Sequence, residues 1–108
     1  VDLVCENSQG TKIIADYKTR KSHPSYPMRP YGPEIVQIAA YAVLRFGPKA
    51  VEDEEIYGAN LFVSSTEPGR FETCGYEPPE LAKGWSLFKA IMATWRGLKN
   101  YDPRDDAA

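Results

Sequence analysis

Apolar and polar positions along this chain change their period repeatedly, and the changes mark its elements. "VDLVCE" and "TKIIADYK" alternate at a period of two, with "NSQG" between them, which predicts two strands joined as a hairpin. "TRKSHPSYPMRPYGP" carries four prolines and little periodicity, which predicts an exposed loop. Loops of that length within compact domains are often functional. "PEIVQIAAYAVLRFGPKA" is Ala-rich and apolar at helical spacing. Pro33 stands at a first-turn position, Glu34 complements the helix dipole, and a stop is expected near Gly47 and Pro48. The acidic "VEDEE" reads as a solvated connection. "IYGANLFVSS" and "RFETCGYE" then predict two more strands around a "TEPG" turn. A last helix runs from about Pro79 to Lys99, with Leu81, Trp85, Phe88, Met92 and Trp95 on one stripe and Ile91 and Leu98 beside it. The two tryptophans on that stripe read as core or interface anchors.

The order strand, strand, helix, strand, strand, helix predicts an α/β domain with a mixed central sheet flanked by helices. Residues 1–101 form that domain, and 102–108 are a charged, frayed tail. Two helices are thin cover for four strands. An absent N-terminal helix, a second copy or a larger parent polypeptide is expected to complete it.

Composition narrows the picture slightly. A chain of 108 residues, 43% apolar and 26% charged, has room for one modest core. Its net charge of −2 gives no overall basic field. A local patch is nonetheless present in Lys18, Arg20, Lys21, His23 and Arg29, with no acidic residue among them. Cys5 and Cys74 cannot build a zinc or iron–sulfur centre alone, so no iron–sulfur cluster is expected. They read as reduced, mostly buried packing thiols of a cytoplasmic protein. No membrane-length apolar run occurs.

The chemistry concentrates in "DYK". A period of two puts Asp16 and Lys18 on one face of the strand and Tyr17 on the other. A carboxylate beside an ammonium is either a surface ion pair worth little, or a metal ligand beside a charge stabiliser. Asp2 lies on the adjacent strand of the hairpin, so its carboxylate and that of Asp16 can converge at one sheet edge. Magnesium and manganese take such hard oxygen ligands, with waters completing the shell. Gln37 and Tyr41 stand four apart on one helix face, either as boundary residues of an amphipathic helix or as polar groups reaching the same edge. In the loop, Arg20, Lys21, His23 and Arg29 are candidate phosphate contacts, and Tyr26 and Tyr31 can stack on bases. The plainer alternative is a solvated, proline-stiffened loop.

"VDLV", "IIADYK" and "QIAAY", in that order and at short spacings, resemble the motifs of the PD-(D/E)xK nuclease superfamily, in particular its RecB-like exonuclease branch. The likeness covers residues 1–46. It implies a restriction-endonuclease-like core and a metal-dependent deoxyribonuclease, an exonuclease by branch, acting on single- or double-stranded DNA in recombination, repair or phage replication. It also implies Mg2+ or Mn2+ held by Asp2, Asp16 and the Tyr17 carbonyl, with Lys18 as catalytic lysine and Gln37 and Tyr41 supporting the site or touching DNA. The family's upstream helix with its Glu or His has no counterpart before Val1. A non-catalytic DNA-binding or assembly module on the same fold is the competing expectation, and a sequence-specific endonuclease ranks below it.

Overall fold

The computed structural model describes residues 3–30, 32–100 and 104, with Leu3 and Gly32 described by backbone only. Four strands, β1 (Leu3–Glu6), β2 (Lys12–Arg20), β3 (Ile56–Ser64) and β4 (Phe71–Tyr76), form one sheet in the order β1-β2-β3-β4. Among the described residues three helices accompany it: α1 (Gly32–Phe46), α2 (Pro48–Glu52) and α3 (Pro78–Lys99). The α/β class and the mixed sheet agree with the expectation from the sequence.

Local chemistry sets each reversal. In the β1–β2 turn the Asn7 carboxamide oxygen accepts from the Gln9 and Thr11 amides at 2.9 and 3.0 Å, and Gly10 supplies a φ of 81°. That side-chain mimicry of a turn is what Asn does well. The pairing that follows is antiparallel, from Glu6↔Lys12 to Leu3↔Ala15. β2 and β3 pair in parallel from Lys12↔Ile56 to Arg20↔Ser64, a geometry that needs the crossover which α1 and α2 provide. β3 and β4 return to antiparallel pairing.

Both long helices lie on one face of the sheet. Ile14, Ile38, Ala39, Ala42, Val51, Ile56, Tyr76 and Leu81 form the buried core. Ile38 of α1 and Leu81 of α3 meet over Gly58 of β3, where an added Cβ would come within 2.8 Å of Ile38 Cγ2 and 3.1 Å of Leu81 Cδ2. Gly58 therefore sets how closely the helices seat. Gly58→Ala is expected to cost about 1–3 kcal/mol, and an unchanged urea midpoint would contradict this packing. On the opposite face Tyr17, Tyr57, Val63 and Phe71 are exposed, so the thin cover expected from two helices is seen as one uncovered sheet face among the described residues.

Four details depart from the sequence expectation. Pro48 does not simply end α1. Gly47 takes a φ of 91°, its amide donates to the Val43 carbonyl, and Pro48 opens α2, whose Val51 is buried. "VEDEE" is thus half helix rather than solvated connection, because proline suits a first helical turn. α3 begins at Pro78, one residue early, under a capping box of Glu77 and Glu80. Its stripe is buried only at Leu81, with Trp85, Phe88, Met92 and Trp95 half-buried and Ile91 and Leu98 exposed. Cys5 is exposed, not buried, because its register with Ile13 turns it to the uncovered face of an edge strand, while Cys74 is half-buried.

Candidate functional site

The face that turns Ile14 into the core also turns in Asp16, Lys18 and Arg20, two residues at a time. Asp16 is only 7% exposed. Its Oδ2 lies 3.0 Å from Lys18 Nζ. Lys18 Nζ donates to Gln37 Oε1 at 2.7 Å, and Gln37 Nε2 donates to the Tyr41 hydroxyl at 2.9 Å. Asp16, Lys18, Gln37 and Tyr41 are therefore one hydrogen-bonded line from β2 to α1. The carboxamide of Gln37 is oriented by its two ends, oxygen to the ammonium and nitrogen to the phenol. An ammonium has three N–H donors, and this line engages two of them.

The strand pairing supplies a further neighbour. Asp16 stands in register with Asn60 on β3, which is fully buried. Asn60 Oδ1 accepts from the Tyr76 hydroxyl at 2.6 Å. Burial, reinforced by nearby Cys74, pushes the Tyr76 phenol well above its ordinary range, so it remains protonated and a donor. Asn60 Nδ2 has no hydrogen-bond partner among the described residues. Asn60 and Tyr76 were not among the residues expected from sequence, although a lone carboxamide inside the apolar run "IYGANLFVSS" was a signal.

Asp2 and Tyr31 lie outside the described residues. Tyr17 points its ring to the other face and is half exposed, consistent with the alternation of the strand. Among the described residues no three His, Cys, Asp or Glu side chains converge on a common point. Of the ligands expected from sequence, the described residues include one sequestered carboxylate, Asp16, with the backbone carbonyl of Tyr17 next in the chain. That set fits a magnesium or manganese ion of the kind held by one or two carboxylates, with water and substrate phosphate as the other ligands.

Arg20 turns inward. Its guanidinium pairs with the buried Glu34 in the first turn of α1 and stands 5.2 Å over the centre of the Phe62 ring. It ties β2 to α1 beside the site. Lys21, His23, Tyr26 and Arg29 remain exposed on the following loop, Tyr26 to 68%, and the His23 and Tyr26 rings pack at 5.3 Å. A cavity lined by Arg20, Lys21, His23, Tyr26, Met28 and Arg29 opens there.

This proline-rich loop is pinned rather than loose. Arg70 at the start of β4 donates to the carbonyls of His23 and Tyr26 at 2.8 and 2.6 Å. Glu67 and Glu72 hold the same guanidinium at 2.6 and 2.8 Å. Glu72 also accepts from the Met28 amide at 2.8 Å, and Met28 is buried. Ser22 is bound by the β3–β4 turn through Thr66, Ser64 and Glu67. The Arg70 contacts hold both carboxylates below their ordinary pKa, and Ser22 contributes the largest share at Glu67. Nothing in the local sequence marks Arg70 for this role, because the loop carbonyls it binds lie more than forty positions away along the chain.

Set beside family models, curated proteins and solved structures, the chain matches none. No helix among the described residues is long and apolar enough to cross a membrane.

Proposed function

We propose that the chain is a metal-dependent deoxyribonuclease domain of the PD-(D/E)xK kind, an exonuclease that hydrolyses DNA phosphodiesters in the cytoplasm during recombination, repair or phage replication. One observation carries the reading. The D-x-K strand and the Q-x-x-x-Y helix, motifs separated in sequence, meet as the continuous line Asp16, Lys18, Gln37, Tyr41. The strand order, with β2 and β3 parallel across a helical crossover, also supports a restriction-endonuclease-like core.

Hydrolysis adds water to phosphorus, breaks the bond to the leaving sugar oxygen and places extra negative charge on the phosphoryl oxygens. A bound divalent cation supplies an acidified water and neutralises part of that charge. In this chain Asp16 is the described carboxylate that would hold the cation, with the Tyr17 carbonyl as its neighbour and Asp2 as the partner that the family pattern assigns. Lys18 keeps its third N–H for a phosphoryl oxygen. Its ammonium is held in place by Asp16 on one side and Gln37 on the other, so little reorganisation is needed when charge develops. Gln37, in turn, is fixed by Tyr41. The exposed Lys21, Arg29 and Tyr26 offer two phosphate contacts and a stacking surface for the strand that leaves the site.

The test is degradation of linear single- and double-stranded DNA in Mg2+ or Mn2+, with chelator controls and with Asp16→Ala and Lys18→Ala beside wild type. Metal-dependent cleavage that disappears in both variants is the expected result. DNA binding without cleavage in any metal would transfer the reading to a non-catalytic DNA-binding or assembly module.

A further inference from the structure

The unpartnered amide of Asn60 is out of keeping with a purely structural role. Burying an N–H group without a partner is unfavourable, and native interiors rarely leave one. Asn60 is fully buried, its Oδ1 is taken by Tyr76, and Nδ2 has no acceptor among the described residues. The phenol approaches from β4, and the two ends of a carboxamide diverge. Nδ2 is the end of the amide that the β4 phenol does not engage, and on the other flank of β3 stands β2, with Asp16 in register. Adjacent strands stand about 4.8 Å apart, which brings the two side chains beside one another on the same sheet face. The reverse orientation of the amide would set its oxygen against a carboxylate, which is repulsive.

We propose that Asn60, oriented by Tyr76, is a positioning residue for the Asp16 carboxylate, with Nδ2 supporting the oxygen of Asp16 that is turned from a bound divalent cation. The inference rests on the reading of Asp16 as the metal-holding carboxylate. The arrangement is a carboxylate backed by an amide, itself backed by a phenol. Lys18 braces Asp16 along β2 at 3.0 Å, whereas Nδ2 of Asn60 makes no hydrogen bond to Asp16 here and would be engaged by it when a cation takes the other carboxylate oxygen. Groups of this kind behind a metal ligand typically alter metal affinity by about 10–100-fold.

The test is Mn2+ binding to the whole chain by calorimetry, without DNA, alongside thermal unfolding of the same samples. Wild type is expected to bind Mn2+ and Asp16→Ala to lose binding. Asn60→Leu is expected to weaken Mn2+ binding by about tenfold or more. It removes the unsatisfied Nδ2 but leaves the buried Tyr76 hydroxyl without its acceptor, so its unfolding temperature is expected to fall modestly while the variant stays folded. Tyr76→Phe keeps the ring and frees the carboxamide to rotate, so a smaller loss of affinity is expected. It carries the test if Asn60→Leu does not fold. Wild-type affinity in folded Asn60→Leu, or in Tyr76→Phe when that variant carries the test, would overturn the role of Asn60 and leave the nuclease reading standing. Failure of wild type to bind Mn2+, or binding that survives Asp16→Ala, would overturn both.

Discussion

Two polar networks lie along β2 and its extension, and they differ in how completely their hydrogen-bonding capacity is used. Around Arg70 the guanidinium meets two carboxylates and two backbone carbonyls, all from the chain itself. Around Asp16 the line is left open among the described residues, with a third Lys18 N–H uncommitted and Asn60 Nδ2 without a partner. A closed network holds parts together, whereas an open one in a sequestered place has capacity for something that arrives. On the proposed reading the first network is scaffold and the second the place of the chemistry, although both are built from the same residue types.

The largest expected effect separates the two networks directly. Asp16→Ala and Lys18→Ala should each reduce metal-dependent DNA cleavage by at least about 10²–10³-fold, the cost of removing one preorganised stabilising group, with far-ultraviolet circular dichroism unchanged. Arg70→Ala should do the reverse. It leaves Glu67 and Glu72 facing each other without their cation and frees the carbonyls of His23 and Tyr26. The unfolding temperature should drop and amides around Met28 should exchange faster, while turnover at saturating DNA stays near wild type. Loss of turnover in Arg70→Ala with unchanged exchange at Met28 would erase the distinction between scaffold and site.

A smaller effect tests whether the loop serves the site. Lys21→Ala with Arg29→Ala should weaken DNA binding severalfold and flatten its salt dependence, by about 0.7 in the log–log slope for each single-strand phosphate no longer neutralised. Tyr26→Ala should weaken binding to single strands with no change in that slope, because stacking releases no counterions. A full salt slope in the double variant would separate the loop from the DNA path.

The same comparison shows what could be read from sequence. Strand alternation and helical spacing marked the elements, and the spacing within "DYK" and "QIAAY" picked out four residues that the structure joins in one line. These are local signals, each carried within a few positions. The three residues that complete the picture answer to distant partners. Arg20 pairs with Glu34 across the loop, Asn60 with Tyr76 across a hairpin, and Arg70 with a loop more than forty positions before it. A basic residue beside a basic loop reads as a phosphate contact until the fold reveals an acidic residue on the other side. Arg20 shows this most plainly, since its charge is matched within the first turn of α1 and its plane rests on Phe62. Likewise, Pro48 carries the same local signal whether it ends one helix or opens the next, and only the burial of Val51 decides.

The mildest perturbation is acid, and it should reach the closed network through its carboxylates. Glu67 and Glu72 are held below their ordinary value of 4.5, first by Ser22 and then Arg70 at Glu67, and first by Arg70 at Glu72. A carboxylate whose pKa is depressed on folding adds stability that is fully present above its unfolded pKa. That stability is lost as pH falls through the folded value. The urea midpoint of wild type should therefore decline as pH is lowered from neutrality to below 4.5, the ordinary value of both groups. Part of that decline should vanish in Glu67→Gln with Glu72→Gln, which starts less stable at neutral pH. Both carboxylates work through one guanidinium, so their effects should fall short of adding. An acid response identical in wild type and the double variant would mean that the Arg70 contacts contribute nothing to stability. The pinned loop would then owe its shape to Pro24, Pro27 and Pro30 and the burial of Met28 alone.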